Sequence, residues 1–479
     1  MVSMTADQNV AHPNLIYIFA DQLRYQSTGY AGDSRAITPA IDKLATESTN
    51  FCNAVSGHPL CAPYRASLFT GKYSTSTGMV INELRMNPNH QCFGHVLTGS
   101  GYDTYYIGKW HLWANKFGDH TNPYNSFVPP GPYRLGFDGY FAGYNFHHHY
   151  YNAYYHLDTI DKIATPGYEP DGQTDMAIEQ LQKAATSSKP FALFLSYGTP
   201  HDPWTVDNVP RKYYEMLRSI DFPLPPNYLP YDDPHGDRWS RLSRRERSVL
   251  PQWMRIYYAM TANLDWNIGR LLAAIDRLGL RNTTIVVFTS DHGEMFGAHG
   301  RRAKNIFYDE AVRVPFLVRW PGYVPAGAVT DVCLNSPDIM PTLLAMMQCP
   351  IPQDVEGMDL SSFAFGRPGP EPKAAFMQGM GCTALWQDGF EWRALRSKRY
   401  TYAIYRSDRS EVLFDNLADP YQMHNLVADP QHTGILGDFR SLLQQRMQAL
   451  GDTFERCTWY EQHWTTDRLI VRTATLAAP

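Results

Sequence analysis

Residues 60–70 carry the most specific chemical pattern in the sequence, a cysteine followed by proline two positions later and arginine four positions later. Pro63 suits the first turn of a helix, where a backbone amide hydrogen is not needed. The helix is predicted to run through Phe69 and to stop at Gly71. Cys61 would then lie at the positive end of the helix dipole, where an anion is favoured.

Several apolar runs end in residues that can bind a cation or transfer a proton. Residues 15–20 lead into Asp21 and Gln22, residues 104–107 into Lys109 and His111, residues 191–197 into His201, and residues 285–290 into Asp291 and His292. Such runs are typical of the strands of an open α/β sheet, whose ligands bind beyond the carboxyl ends of the strands. These side chains are therefore predicted to meet in one pocket.

The elements that position these residues follow an α/β pattern, in which short apolar runs alternate with longer amphipathic segments. This pattern predicts a mainly parallel sheet covered by helices. Residues 253–278 are predicted to form one covering helix, with its polar residues facing solvent. Residues 121–158 form an aromatic insert, and residues 221–250 are expected to cross the surface as a long excursion.

The pattern of predicted elements changes after about residue 368. Residues 392–405 and 411–415 are predicted to form hairpin strands, and residues 436–450 a helix. We therefore expect a catalytic domain over residues 1–370 and a smaller α+β domain over residues 371–479.

The overall composition gives no sign of a polyanionic partner. The 479 residues carry 42 Lys and Arg against 47 Asp and Glu, a net charge of −5, so nucleic acid and anionic membranes are not expected partners. No apolar run approaches the ~18 residues of a membrane span. Residues 1–13 lack the apolar core of a secretory signal, which favours a cytoplasmic protein. Seven cysteines without a Cys-x-x-Cys pair are expected to be mostly reduced and buried.

With these motifs in place, the chain resembles the type I sulfatases of the alkaline phosphatase superfamily. The resemblance implies a large mainly parallel mixed sheet sandwiched by helices, with a smaller C-terminal α+β domain. It also implies that the formylglycine-generating enzyme oxidises Cys61 to formylglycine, whose hydrate attacks sulfate esters and releases inorganic sulfate. Tyr64 replaces the family's usual serine but leaves the cysteine, proline and arginine of the modification signal in place.

The resemblance assigns roles residue by residue. The implied metal ligands are Asp21, Gln22, Cys61, Asp291 and His292, and the implied catalytic residues are Cys61, Arg65, Lys109, His111, His201 and Lys304. Arg65 would hold the hydrate, Lys109 would bridge hydrate and sulfate, and His111 would accept a proton when sulfate leaves. His201 and Lys304 are both candidates for the acid that protonates the departing alcohol.

The metal and the substrate are less fully specified. Gln22 and His292 stand where the family often has Asp and Asn, so calcium is expected and manganese stays open. Tyr144 and the run His147, His148 and His149 are candidates for substrate contact. The aromatic insert either lines a pocket or makes an oligomer contact. The oligomeric state stays open, with a homo-oligomer as the default. The expected substrate is a small sulfate ester of a sugar, an alkyl alcohol or a phenol.

Two alternatives remain at this point. A phosphonate monoester hydrolase or phosphodiesterase of the same superfamily can share the modified cysteine and the metal ligands. Lys109 and His111 argue against it, because a diester needs space there for a second organic group. The other alternative is a silent sulfate or glycan binder in which Cys61 stays a thiol.

Overall fold

The structure, a computed structural model, describes residues 12–476. The strands are β1 (Asn14–Ala20), β2 (Thr49–Phe51), β3 (Asp103–Lys109), β4 (Tyr140–Tyr144), β5 (Tyr154–Tyr155), β6 (Ile163–Ala164), β7 (Phe191–Ser196), β8 (Thr284–Ser290), β9 (Phe316–Arg319), β10 (Ala328–Thr330), β11 (Ala375–Gly379), β12 (Trp392–Arg396), β13 (Tyr400–Tyr405), β14 (Glu411–Asp415), β15 (Thr465–Thr466) and β16 (Leu469–Ile470).

The α-helices cover both faces of the larger sheet and the outer face of the smaller one. They are α1 (Pro39–Thr46), α2 (Cys61–Thr70), α3 (Ser74–Thr77), α4 (Phe93–Gly99), α5 (Pro123–Ser126), α6 (Glu169–Ala184), α7 (Arg211–Met216), α8 (Arg244–Arg277), α9 (Asp309–Val312), α10 (Ile339–Met346), α11 (Ser361–Ala364), α12 (Thr433–Ala449) and α13 (Cys457–Trp464). Among the described residues, no helix is both long enough and apolar enough to cross a membrane.

Eight strands form the large sheet, in the order β10-β2-β9-β8-β1-β7-β3-β4. The strands from β8 to β4 run parallel, and β9 is antiparallel to both of its neighbours. Nearly every residue of β1, β7 and β8 is buried, as expected for central strands covered by helices on both faces. The predicted α/β class with a mainly parallel sheet is confirmed.

The strand register brings the predicted site residues together. Ala20 pairs with Ser290, so Asp21 and Asp291 follow neighbouring positions on adjacent strands. Lys109 is the last residue of β3 and pairs with Tyr144. The residues that could do chemistry therefore lie together at the carboxyl ends of the parallel strands.

Helix α8 corrects two predictions. It begins at Arg244 rather than near residue 253, because Ser243 and Glu246 form a capping box there, so the last part of the predicted surface excursion is helical. Its central polar residues are buried rather than solvent-facing. The amide of Asn263 donates to Asp171, and the carboxylate of Asp265 accepts the backbone amide of Ile41 at the start of α1. The helical spacing located the helix but could not show that neighbouring helices supply these polar partners.

A second sheet follows in the C-terminal part of the chain. Its strands β11, β12, β13 and β14 are antiparallel, and α12 packs against them, as predicted. The smaller sheet contacts the segment that carries Lys304 through Trp392, whose indole nitrogen donates to the carbonyl of Asn305 at 3.1 Å. Beyond it, Tyr460 and Trp464 of α13 pack in the same apolar cluster as the large sheet. The division at residue 370 stays a prediction.

All seven cysteines lie within the described residues and none forms a disulfide. Six are buried and Cys52 is half-buried, in agreement with the prediction.

Candidate active site

Helix α2 begins at Cys61 and ends before Gly71, whose φ of 66° is the left-handed conformation that stops a helix. All ten helical residues are buried. The amide of Ala62 donates to the side chain of Asn82 at 3.0 Å, which satisfies one of the free donors of the first turn. The predicted position of Cys61, buried at the positive end of a helix, is confirmed.

Around the Cys61 thiol lies a cluster of buried groups that can bind a cation. Asp21, Cys61, Asp291 and His292 each offer one ligand atom, and these four atoms lie within 4.8 Å of one another. The Cys61 Sγ is 3.2 Å from His292 Nε2, which lies 3.5 Å from Asp291 Oδ1. Two buried carboxylates and an imidazole fit a divalent cation, because charges removed from water need a partner.

Two cationic side chains also face these carboxylates. Lys109 Nζ lies 2.5 Å from Asp21 Oδ2 and 3.7 Å from Cys61 Sγ. Arg65 donates to Asp291 at 3.3 Å, and its guanidinium also bonds Ser196 Oγ at 2.7 Å. Both cations are fully buried, so their charges act with little screening from water.

These charges shift the acidity of the cluster. Burial alone would raise the pKa of the Cys61 thiol, but neighbouring cations, Lys109 foremost, hold it well below its ordinary value. Burial and the sulfur likewise raise the pKa of Asp21, yet Lys109, His201 and His292 lower it to about 2. The site is therefore built to stabilise negative charge at position 61.

Both polar atoms of the Gln22 side chain bond residues outside the cluster of Asp21, Cys61, Asp291 and His292. Its amide nitrogen donates to Glu294 at 2.6 Å, and its oxygen accepts from Lys304 Nζ at 2.6 Å. Its backbone amide donates to Asp291 at 3.0 Å. Gln22 thus connects the cluster to Lys304, and its role as a metal ligand stays a prediction.

His201 and Lys304 form a hydrogen-bonded pair, with 2.7 Å between Nε2 and Nζ. Only one proton fits between two nitrogens at this distance, so the pair acts as one acid. Burial and Lys304 lower the pKa of His201, but carboxylates, Asp202 foremost, outweigh them and raise it to about 9. His201 Nδ1 lies 2.9 Å from Asp202 Oδ1.

His111 has a partner that the sequence did not indicate. Its Nε2 lies 3.3 Å from the buried carboxylate of Glu83, while its Nδ1 has no hydrogen-bond partner among the described residues and is buried. Burial raises the pKa of Glu83, but the interaction with His111 lowers it below the ordinary value. An ionised carboxylate can only accept a hydrogen bond, so Glu83 favours the tautomer of His111 that carries its proton on Nε2.

A cavity of about 380 Å³ opens onto Cys61. The predicted site residues that line it are Gln22, Cys61, His111, His148, His201 and Lys304. Further lining residues that the sequence did not single out are Asn82, Glu83, Phe117, His120, Trp204, Arg238, Trp239, Glu294, Thr383 and Ala384. The wall thus comes from the excursion at residues 221–250 and from the C-terminal part of the chain as well as from the large sheet.

Of the four residues predicted to contact substrate, only His148 lines this cavity. Tyr144 and His147 stack on each other with ring centroids 3.7 Å apart, and His147 Nε2 contacts the carbonyl of Tyr154. His149 is exposed. Neighbouring side chains of this extended run point in different directions, so His148 is the one histidine of the three that reaches the cavity. The insert also contributes Phe146.

Comparisons with known proteins agree with this geometry. Residues 13–349 match the family described as Sulfatase, and residues 297–449 match the family described as N-sulphoglucosamine sulphohydrolase, C-terminal. An ulvan-active sulfatase of Formosa agariphila is 37% identical over 452 residues, which cover 94% of this chain and 83% of that protein.

Solved structures show the same similarity. A Bacteroides fragilis structure that carries the sulfatase designation yidJ has a TM-score of 0.80 and 30% identity, covering 96% of this chain and 99% of that one. A phosphonate monoester hydrolase of Agrobacterium radiobacter has a TM-score of 0.69 and 22% identity, covering 91% of this chain and 96% of that one. The second likeness concerns the fold alone.

Proposed function

The chain belongs to the sulfatase family, and from this premise we propose that it cleaves a small organic sulfate ester with a formylglycine hydrate made from Cys61 and a bound divalent cation. One observation carries the proposal: Cys61 lies at a helix start, within reach of two carboxylates, an imidazole and Lys109. A cysteine whose role is only to pack in the core does not require charged neighbours of this kind. Conversion of Cys61 requires the formylglycine-generating enzyme as a maturation partner.

The cation would be held by Asp21, Asp291, His292 and an oxygen at residue 61. Calcium prefers oxygen ligands such as the two carboxylates, whereas manganese also binds an imidazole nitrogen. When bound, the cation supplies a positive charge that favours the ionised hydrate and the sulfuryl oxygens. Arg65 and Lys109 hold the same carboxylates from the other side and so fix their orientation.

In the first step, one hydroxyl of the hydrate at residue 61, ionised by loss of its proton to solvent, attacks sulfur, and the bond between sulfur and the alcohol oxygen breaks. The departing alcohol takes a proton from the pair of His201 and Lys304. His201 lines the cavity beside residue 61, and its raised pKa keeps it protonated at neutral pH.

In the second step, the other hydroxyl of residue 61 loses its proton to His111 Nδ1. The bond between carbon and the sulfate oxygen then breaks, which releases sulfate and restores the aldehyde. Water adds to the aldehyde to regenerate the hydrate. His111 suits this step because Glu83 occupies its other nitrogen and because it interacts with the group at residue 61.

A sulfated sugar is the substrate that these features favour among the three classes. The C-terminal family description names an N-sulphoglucosamine sulphohydrolase, and the cavity combines aromatic surfaces with hydrogen-bonding groups that could contact the ring and the hydroxyls of a sugar. Phe117, Phe146 and Trp239 supply the aromatic surface, and Asn82 and Thr383 supply polar groups.

The phosphodiesterase alternative has less support. Lys109 packs over Phe146 at 4.5 Å, and the rings of His111 and Phe146 lie 4.5 Å apart. These contacts hold Lys109 and His111 in place, and we infer that they leave less room beside residue 61 for the second organic group of a diester. Paired rates on an aryl sulfate and an aryl phosphodiester test this choice, and faster cleavage of the diester would reverse it.

Mass spectrometry of the peptide that contains residue 61 tests the modification directly. Conversion of the thiol to the aldehyde lowers the mass by about 18 Da. A host that contains the maturation enzyme should yield the lighter peptide together with sulfate release from a panel of sulfated sugars. An unshifted peptide in protein that still releases sulfate would contradict the formylglycine mechanism, and an unshifted, inactive protein would support the silent binder.

A further inference from the structure

A second group of metal-ligating side chains lies at the edge of the cavity, separate from the cluster around Cys61. His148, His201 and Asp202 each offer one ligand atom, and these atoms lie within 4.8 Å of one another. The rings of His148 and His201 have centroids 4.0 Å apart, and His201 Nδ1 lies 2.9 Å from Asp202 Oδ1. All three residues line the cavity.

The group has free coordinating capacity. His148 Nε2 is buried and has no hydrogen-bond partner among the described residues, although buried polar atoms nearly always have one. The side chain of Asp202 is 51% exposed, so it can turn toward an incoming cation, and a metal on His201 Nδ1 would replace the present contact between that nitrogen and Asp202. Lys304 approaches His201 at Nε2, on the other side of the ring from Nδ1.

We propose that His148, His201 and Asp202 form a second cation site that takes a transition metal, with Zn²⁺ the best match, and that its occupation inhibits the enzyme. Two imidazoles and one carboxylate are a typical donor set for zinc. The cluster around Cys61 contains two carboxylates and one imidazole and is better suited to a cation that prefers oxygen. The two groups of ligands would therefore bind different classes of cation within one cavity.

The geometry needs a small adjustment to bind the ion. With metal bonds of about 2.0–2.2 Å, ligand atoms around one zinc ion lie at most about 4.4 Å apart. Asp202 Oδ1 already lies 2.9 Å from His201 Nδ1, so the closure has to come from a movement of the His148 ring toward these two atoms. His201 gives up its Nδ1 proton to solvent, and the nitrogen lone pair then binds the metal.

Inhibition follows from the position of His201. We assigned this residue to the pair that protonates the departing alcohol, and a metal on Nδ1 removes one of its protons and fixes the ring. The ion also occupies the cavity wall beside the reacting bond. Inhibition should therefore be competitive with substrate. This part of the inference depends on the proposed function, whereas the binding of zinc does not.

The test uses the full chain saturated with calcium. Isothermal titration with Zn²⁺ should show one zinc ion bound per chain while elemental analysis shows calcium retained, and sulfate release should fall with rising Zn²⁺. His148→Ala should weaken zinc binding and raise the inhibition constant by at least about tenfold. Asp202→Asn should weaken zinc binding in the same direction. The matched control is His149→Ala, which removes an exposed histidine one position away and should keep the wild-type zinc affinity.

Three results would overturn the inference. Zinc that displaces calcium one for one would place the ion at the Cys61 cluster. Unchanged zinc affinity in both the His148 and Asp202 variants would remove the proposed ligands. Zinc that binds at this site without slowing turnover would refute the inhibitory role. A protein that binds zinc here but releases no sulfate from any ester tested would instead contradict the proposed function alone.

Discussion

Replacing His201 by alanine should slow the cleavage of alkyl and sugar sulfates far more than that of aryl sulfates. His201 and Lys304 share one proton across 2.7 Å at the edge of the cavity, and we assign this pair to protonation of the departing alcohol. An alcohol is a poor leaving group as its alkoxide, whereas a nitrophenolate departs easily without a proton. The size of the defect should therefore depend on the leaving group.

The magnitude follows from the usual contribution of general acid catalysis, about 10²–10⁴-fold, or roughly 2.7–5.5 kcal/mol in the activation barrier. His201→Ala should lower kcat/KM by this amount on a sugar sulfate and by less than about tenfold on nitrophenyl sulfate. Lys304→Met should give a similar pattern. Because the two residues act as one acid, the double variant should lose little more than either single variant.

The pH dependence gives an independent measurement. The pKa of His201 is raised to about 9, mainly by Asp202 against the effect of burial, so the acid is present at neutral pH and is lost as the pH rises through about 9. Cleavage of a sugar sulfate should fall over that range. Any stability that this histidine contributes is complete below its ordinary pKa of 6.5 and disappears over the same alkaline range. Asp202→Asn should shift the fall in activity to lower pH. Equal losses on both leaving groups in His201→Ala, with an unchanged alkaline limb in Asp202→Asn, would refute the assignment.

Four other predictions concern the rest of the site. Cys61→Ala should abolish turnover and leave the circular dichroism spectrum unchanged; substantial remaining activity would exclude covalent catalysis at this residue. Glu83→Gln should lower kcat about tenfold or more with little change in KM, because His111 loses the carboxylate that fixes its tautomer; restoration by Glu83→Asp would support a positioning role, and wild-type kcat in the glutamine variant would remove it. Arg65→Ala leaves the buried Asp291 carboxylate without this partner and should lower the free energy of unfolding by about 3–5 kcal/mol in urea denaturation, measured without added metal; a loss below about 1 kcal/mol would contradict the buried ion pair. A chelator should lower both activity and the melting temperature, and calcium or manganese should restore them; activity unaffected by exhaustive chelation would exclude the proposed cation.

Much of the fold could be predicted because its determinants are local. The apolar runs of β1, β7 and β8 are buried on both faces, and their sequence shows this directly. Helix α8 continues through Pro251, although proline usually marks a helix boundary, and so begins earlier than the predicted residue 253. The burial of Asn263 and Asp265 depends on partners in α6 and α1, and spacing within one helix contains no information about them.

The residues of the site also fall into those that the sequence predicts and those that it does not. Residues at strand ends, such as Asp21 and Asp291, could be placed because the sheet register fixes them. Glu83 and Trp239 could not, since they reach the cavity from loops whose paths depend on contacts across the whole chain. Glu294, by contrast, lies three residues after Asp291, and this spacing is a local signal that it belongs near the site. Its carboxylate accepts the Gln22 amide and so helps to position Lys304 indirectly.

Backbone conformation explains why the inner shape of the site could not be obtained from side-chain patterns. Gln22, Glu83, His111 and Ala303 all have positive φ, between 56° and 71°, although none is glycine. Each such residue costs about 1–3 kcal/mol unless its surroundings impose the conformation. Three of the four are held by the hydrogen bonds that connect Glu83 to His111 and Gln22 to Lys304. The strained backbone therefore helps to position the proton acceptor His111 and, through Gln22, Lys304 of the proton-donating pair. Relief of this strain in a more stable variant should reduce kcat before it reduces substrate binding.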